Sequence, residues 1–292
     1  MELVAEIQAV SKSNSFFNVV VKDSNKEIFN IKIDDLSDLK IGELYKFILE
    51  KKNGERVSYN ILSYTHVNDL PLEEKNKYLR EFYNSSPISL EEEIKILNEY
   101  LSKVENKIIY DITNHIMNKF YNQFLISPAA SKMHHAYVGG LAYHTIGMLK
   151  LADAFVNNYT YLKKDYLYAG IILHDIGKVK ELAGNKDILY TLEGQLLGHL
   201  VIGVLEIDDA AKSLGYENSS EVLFLKHMMI SHHGIPQYGS SKKPMTAEAM
   251  ALWFIDTIDS KFRVIGERLD VTDVDTWTDA IGVIDKTKLY KY

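Results

Sequence analysis

The periodicity of the apolar residues changes once along this sequence, near residue 67, and that change limits the folds open to the chain. Before it, apolar and polar residues alternate in short runs, which is the pattern of β-strands. After Asn68-Asp69-Leu70-Pro71, apolar residues recur every three or four positions, which is the pattern of amphipathic helices. We therefore predict a multidomain α+β protein with a β domain over residues 1–67 and an all-helical domain over residues 68–292.

The first segment is predicted to form a small barrel. Its runs of β-branched and aromatic residues are separated by turn signals, and the expected strands are 4–10, 16–21, 28–33, 45–49 and 57–64. The segment 36–42 fits the short helix or turn between the third and fourth strands of an OB-fold. An OB-fold is therefore the first choice among small barrels.

Alternation along two of these strands also indicates which side chains face outward. In the second strand Phe17, Val19 and Val21 would face the core, and in the third Phe29, Ile31 and Ile33 would do so. Phe16 and Lys32 then face out, as a candidate platform for a stacked base and its phosphate. The alternative is a partly buried Phe16 beside a solvated Lys32.

The second segment reads as helical to nearly the end of the chain. Ser89 before a run of glutamates looks like a helix N-cap. A three-to-four spacing of apolar residues then predicts one long amphipathic helix through Ile94, Leu97, Leu101, Val104, Ile108, Ile112 and Ile116.

Composition narrows the function. The chain has no cysteine, so any metal ion must be held by histidine, aspartate or glutamate. The first ten residues lack the features of a signal peptide, and no apolar run approaches the roughly 20 residues of a membrane span, so we expect a cytoplasmic protein without a membrane partner. A net charge of −7 means that a polyanionic substrate must be attracted by a local basic groove or by bound cations.

Five of the ten histidines occur in the second segment beside small or acidic residues, and one is followed directly by aspartate. They are His144, His174, His199, His232 and His233, with Asp175 after His174. A helical bundle can bring such residues to one point, which is how bundle metal sites are built. Imidazole and carboxylate ligands suit Mn, Fe or Zn, with Mg also accepted.

We expect two ions about 3.5–4 Å apart, with Asp175 as the bridging carboxylate and a shared water as the nucleophile. The simpler alternative is one ion held by His144, His174, Asp175 and Asp256. In that case His199, His232 and His233 would donate hydrogen bonds to phosphate.

The order His144, His174-Asp175, Asp256 resembles the signature of the HD-domain phosphohydrolases. The surrounding segments PAASKMHHAYVGGLAYHTIGML, LHDIGKVKEL, GQLLGHL, SHHGIPQYGS and ALWFIDTIDSK are similar to those of the YhaM-type 3′–5′ exoribonucleases, in which an OB-fold precedes the HD domain. This resemblance covers nearly the whole chain.

The resemblance implies a divalent metal centre, with Mn as the expected metal. The implied ligands are His144, His174, Asp175, His199, His232, His233 and Asp256. Asp259 is the rival to Asp256, because the two share one helix face and either can ligate while the other orients a histidine.

The same resemblance and the local pattern suggest further contacts with substrate. Lys178 is placed to neutralise a phosphate oxygen, with a solvated charge as the alternative. His134 and His135 match the family's paired histidines, and the open roles are a phosphate contact, a third metal, or packing and capping. In the loop after the histidine pair, Gln237 and Tyr238 are candidates to line a substrate channel.

These features predict a metal-dependent phosphodiesterase, a 3′–5′ exoribonuclease that degrades single-stranded RNA or DNA by metal-activated water. One alternative is an HD-type hydrolase of a small or cyclic nucleotide. Another is a single-strand-binding protein with a vestigial metal site. Association into a homo-oligomer is compatible with each of these functions.

Overall fold

The computed structural model describes residues 1–13, 16–34, 38–52, 58–130, 137–184 and 188–292. His134 and His135 therefore lie outside the described residues. Contacts within the chain divide it into two compact units, residues 1–84 and residues 85–292, and each is described by itself.

The first unit contains a closed five-stranded barrel. Its strands are β1 (Glu2–Lys12), β2 (Phe17–Lys22), β3 (Ile28–Ile33), β4 (Leu44–Lys52) and β5 (Ser58–His66). Neighbours around the barrel run β1-β2-β3-β5-β4, and β4 pairs with β1 to close it. Only the β3–β5 pairing is parallel among these strands. This arrangement confirms the predicted OB-like barrel.

The barrel interior follows the predicted alternation. Val19, Val21 and Ile31 are fully buried, and Phe29 and Ile33 pack against the same core. Phe17 is only partly buried, so it contributes less to the core than expected. A turn of 3-10 helix, Val67–Asp69, and helix α1 (Leu72–Phe82) complete this unit.

The second unit is mainly helical. Its helices are α2 (Leu90–Ser102), α3 (Lys107–Phe124), α4 (Gly140–Asn158), α5 (Lys164–Leu173), α6 (Lys178–Glu181), α7 (Leu192–Leu214), α8 (Ser220–Ser231) and α9 (Ala247–Asp270). Two short hairpins interrupt the expected all-helical pattern: β6 (Leu182–Ala183) with β7 (Leu189–Tyr190), and β8 (Thr276–Trp277) with β9 (Tyr290–Lys291). Pro236–Tyr238 and Gly282–Ile284 are single turns of 3-10 helix.

The prediction of one long helix through residues 94–116 is wrong, because the chain breaks between α2 and α3. Asn106 caps α3 by accepting a hydrogen bond from the Ile109 N–H. The Asp165 carboxylate accepts hydrogen bonds from the N–H groups of Glu105 and Asn106, at 3.2 and 2.8 Å. These contacts satisfy main-chain donors that a continuous helix would satisfy internally. The predicted cap at Ser89 is confirmed, since its hydroxyl accepts from the Glu92 N–H.

Helix α5 lies at the centre of the bundle. Every residue from Leu167 to Leu173 is buried, and the helix packs against α2, α3, α4, α8 and α9. The residues that follow it therefore begin in the interior of the unit. Across the described ranges, no helix has both the length and the apolar character that crossing a bilayer requires.

Candidate metal centre

His174 and Asp175 follow α5 directly and are almost fully buried, with 1% and 3% of their surfaces exposed. The His174 Nδ1–H donates to the Ile171 carbonyl oxygen at 2.7 Å. A carbonyl can only accept, so this bond requires a proton on Nδ1, and in the neutral imidazole the lone pair is then on Nε2. The ring thus presents a ligand atom to the centre of the unit.

His232, at the end of α8, repeats this arrangement. Its Nδ1–H donates to the Met229 carbonyl oxygen at 2.9 Å, and the ring is completely buried. Burial lowers the pKa of His232, which favours the neutral imidazole that a metal ion requires. His233 is next in the chain, and its Nε2 lies 3.3 Å from Nε2 of His199.

His199 is positioned by a kink in α7 and by Glu181. Gly198 has φ 71° and ψ 156° inside the helix, a conformation that is essentially restricted to glycine. The Glu181 carboxylate accepts hydrogen bonds from the His199 main-chain N–H at 3.1 Å and from its Nδ1–H at 3.0 and 3.1 Å. His199 Nε2 is thereby directed towards Asp175, whose Oδ1 lies 3.4 Å away.

His144 on α4 contacts both candidate aspartates of α9 through different ring nitrogens. Its Nδ1 lies 2.8 Å from Oδ2 of Asp259, and its Nε2 lies 3.2 Å from Oδ1 of Asp256. Arg263 also approaches Asp259, with 3.5 Å between Nε and Oδ1. This geometry favours Asp256 as the ligand and Asp259 as the residue that orients His144. Gly139, at φ 76°, takes a left-handed conformation just before α4, which glycine adopts readily.

The candidate ligands form two groups. The four-residue cluster consists of Asp175, His199, His232 and His233, and the three-residue cluster consists of His144, His174 and Asp256. Within each group, one ligand atom per residue lies within 4.8 Å of the others.

Asp175 lies between the two clusters. Its Oδ2 is 3.1 Å from Nε2 of His174, and its Oδ1 is 3.6 Å from Nε2 of His232. Each oxygen therefore faces a different cluster, which is the geometry of a carboxylate that can bridge two ions. Lys178 pairs with it as well, with Nζ 2.7 Å from Oδ2.

Three buried atoms in these clusters have no hydrogen-bond partner among the described residues: Nε2 of His174, Oδ1 of Asp175 and Nε2 of His232. An unsatisfied buried polar atom costs free energy, and several at one point call for an explanation. Divalent cations held by the two clusters would satisfy all three, because each atom carries a lone pair. The nitrogen and oxygen donor set fits ions such as Mn, Fe or Zn.

The carboxylates of the centre are held in their charged form. Burial alone would raise the pKa of Asp175, but its neighbour His174 and the Lys178 ammonium hold it well below its usual range. Burial would likewise raise the pKa of Asp256, but the contact with His144 outweighs this effect and the pKa is lowered. For His144 itself, burial opposes protonation, yet Asp256 and Asp259 raise its pKa to about 9.

The residues predicted to contact substrate lie in different parts of the chain. Lys178 adjoins Asp175, as described above. Phe16 and Lys32 are in the barrel unit, where the Lys32 ammonium lies 4.6 Å from the centre of the Phe16 ring. Gln237 is exposed in the 3-10 turn Pro236–Tyr238.

Glu181 is a residue of the centre that sequence reasoning missed. It is buried, with 7% of its surface exposed, and His199 holds its pKa below the usual value although burial opposes this. Its position inside the LHDIGKVKEL segment was a usable signal, since a buried acid near a histidine set commonly orients a ligand.

Residues 141–261 match the family model described as the HD domain. The match begins in α4 and ends in α9, so it spans every residue of both clusters. The second unit therefore contains a helical HD domain, and an OB-like barrel precedes it. An HD domain with these clusters indicates a metal-dependent phosphohydrolase.

Proposed function

We propose that this protein is a 3′–5′ exoribonuclease that removes nucleotides from single-stranded RNA. The observation that carries the proposal is Asp175, a buried carboxylate with one oxygen towards each of two ligand clusters. Such a site suits hydrolysis of a phosphodiester, where the attacking and leaving oxygens both need stabilisation.

When bound, divalent ions at the two clusters would supply Lewis acidity and an acidified water. The protein's own groups hold the site for this chemistry. Asp175 and Asp256 remain ionised, His174 and His232 present unprotonated Nε2 atoms, and Lys178 provides a cation next to Asp175.

The proposed reaction releases a nucleoside 5′-monophosphate. A water oxygen bonds to phosphorus, and the bond from phosphorus to O3′ of the preceding nucleotide breaks. One proton of the water leaves to solvent and one is taken up by O3′, so the shortened RNA ends in a 3′-hydroxyl.

The barrel unit supports a strand as the substrate. OB-like barrels bind single-stranded nucleic acid through aromatic faces and basic side chains. Phe16 and Lys32 provide one of each, in contact with each other. The motif resemblance to YhaM-type enzymes favours the same substrate.

The test compares 3′- and 5′-labelled single-stranded RNA, single-stranded DNA and cyclic dinucleotides, each with Mn²⁺, Mg²⁺ or a chelator. We expect stepwise shortening of the 5′-labelled RNA from its 3′ end, dependent on metal. Asp175→Ala should abolish it. The matched control is Asp208→Asn, because Asp208 pairs with Lys212 outside both clusters.

Failure of the wild-type protein to cleave RNA under any metal condition contradicts the proposal. Cleavage of cyclic dinucleotides alone would instead identify a small-nucleotide hydrolase. The contribution of the barrel is measured with Phe16→Ala in the full chain, which should weaken salt-sensitive RNA binding by about 5- to 150-fold if the ring stacks on a base.

A further inference from the structure

An arginine, Arg263, contacts the aspartate that orients His144. Arg263 is on α9, four residues after Asp259, so the two side chains lie on the same face of the helix. Its Nε is 3.5 Å from Oδ1 of Asp259, whereas Oδ2 of the same carboxylate is 2.8 Å from Nδ1 of His144. The two oxygens of Asp259 therefore have different partners, a cation at one and a candidate metal ligand at the other.

Tyr143 of α4 holds the Arg263 guanidinium in place. Nη1 of Arg263 donates to the Tyr143 hydroxyl oxygen at 2.6 Å, and the guanidinium carbon lies 4.3 Å from the centre of the tyrosine ring. A guanidinium that stacks on an aromatic ring and also donates a hydrogen bond is restricted in its rotation. Tyr143 directly precedes His144, so α4 supplies both the ligand and the residue that positions the arginine.

Gly147 allows α9 to approach α4 closely at this point. It lies three residues after His144, and a Cβ there would overlap Oδ1 of Asp259 and lie 3.0 Å from Nη2 of Arg263. Because protein interiors are close-packed, a larger residue would displace the carboxylate or the guanidinium. The glycine therefore provides the space in which Asp259 and Arg263 meet.

This ion pair bears on which aspartate of α9 binds metal. Asp256 and Asp259 each place an oxygen within 3.2 Å of a nitrogen of His144. The terminal torsion of an aspartate has broad minima, so Asp259 needs a contact at Oδ1 to keep Oδ2 on the ring. Asp259 is also 5% exposed, and a buried carboxylate requires a partner for its charge. Arg263 supplies both the contact and the opposite charge.

We propose that Arg263 assigns the two aspartates of α9 their roles. It fixes Asp259 as the residue that orients His144 and leaves Asp256 as the metal ligand. Arg263 is therefore a positioning residue, which acts on the metal centre through Asp259. This role goes beyond the proposed function, because it applies to any phosphoester that the centre hydrolyses.

A double-mutant cycle tests the route through Asp259. Arg263→Gln should weaken Mn²⁺ binding to the metal-free protein by about tenfold. In an Asp259→Asn background the same substitution should change the affinity by less than about twofold, because the carboxylate that pairs with Arg263 is gone. Arg263→Lys, which keeps the positive charge, should recover part of the loss. Arg268→Gln removes an exposed arginine of the same helix and is the control.

Cobalt substitution separates positioning from a purely structural role. The visible absorption bands of bound Co²⁺ depend on the number and geometry of its ligands. We expect Arg263→Gln and Asp259→Asn to shift these bands and Arg268→Gln to leave them as in the wild type. An arginine that only stabilised the fold would lower the free energy of unfolding without moving the bands.

The outcomes are distinct. Equal Mn²⁺ affinity in the wild type and Arg263→Gln overturns the proposal, and so does an equal loss with and without the Asp259 carboxylate. Unchanged Co²⁺ bands in Arg263→Gln, or a wild-type protein that binds no metal, also overturn it. If metal binding follows the expected cycle but no RNA is degraded, the exoribonuclease is contradicted and the role of Arg263 is supported.

Discussion

Four of the candidate imidazoles are oriented by a partner at Nδ1, on the side away from the cluster. His174 and His232 use main-chain carbonyls, whereas His144 and His199 use carboxylates. A carboxylate partner makes the ligating nitrogen more basic and fixes the ring, which strengthens metal binding. Asp259 and Glu181 therefore belong to the centre although neither is a candidate ligand of the clusters.

The contribution of Glu181 can be measured through metal affinity. Glu181→Ala removes the acceptor of both the Nδ1–H and the main-chain N–H of His199. We expect metal affinity to fall by about 10- to 100-fold. Glu181→Gln, which keeps one acceptor oxygen, should lose less. The measurement is a metal titration of the metal-free protein, with the exposed Glu193→Ala as control; equal affinities in all four proteins would refute the role.

At the scale of the element, the kink of α7 brings His199 into the centre. Gly198→Ala places a side chain at φ 71° and ψ 156°, where strain costs about 1–3 kcal/mol. We expect a lower free energy of unfolding together with weaker metal binding. Gly203→Ala on the same helix is the control, since its Cβ would meet nothing nearer than 3.8 Å. If both substitutions behave alike in urea unfolding and metal titration, the kink has no such role.

Helix α7 is also tied to its neighbours by Glu206. This carboxylate is 3% exposed and pairs with Lys119 of α3 and, at 2.6 Å, with Lys180 of α6. Glu206→Gln should lower the free energy of unfolding at pH 7 by about 1.5 kcal/mol, the low end for charged hydrogen bonds, because both lysines reach solvent.

The effect of Glu206 should depend on pH. Burial opposes the charge, but the two lysines lower its pKa below the ordinary 4.5. Its contribution is therefore complete above about pH 4.5 and is lost as the pH falls through the lower folded value. Urea unfolding from pH 7 to pH 3 should show the wild-type and Glu206→Gln curves converging in acid. Asp209→Asn, exposed on the same helix, should show no such convergence.

The features that could be predicted from the sequence are those set by local pattern. The alternation along β2 and β3 predicted which side chains fill the barrel interior, and the residues next to Ser89 were enough to predict its helix cap. The break before Asn106 depends on Asp165, about sixty residues away, so spacing alone could not reveal it. The choice between Asp256 and Asp259 likewise depends on which nitrogen of His144 each one meets.

For the whole molecule, the unpartnered buried atoms link stability to metal. An ion that binds only the folded protein stabilises it by about 2.7 kcal/mol at one hundred times its Kd. We expect Tm to rise with Mn²⁺ concentration and to fall when a chelator is added. Asp175→Ala should remove this response in a thermal melt. If the Tm of the wild-type protein is the same with Mn²⁺ and with chelator, the assignment of the clusters as metal sites is contradicted.

The residues of the two clusters are far apart in the sequence, from His144 in α4 to Asp256 in α9. No short fragment contains a complete ligand set, because the centre exists only when α9 has joined the earlier helices. A growing chain on the ribosome thus lacks Asp256 until α9 has been synthesised. On the proposed function, this order of assembly keeps the enzyme inert while it is still held beside the messenger RNA that encodes it.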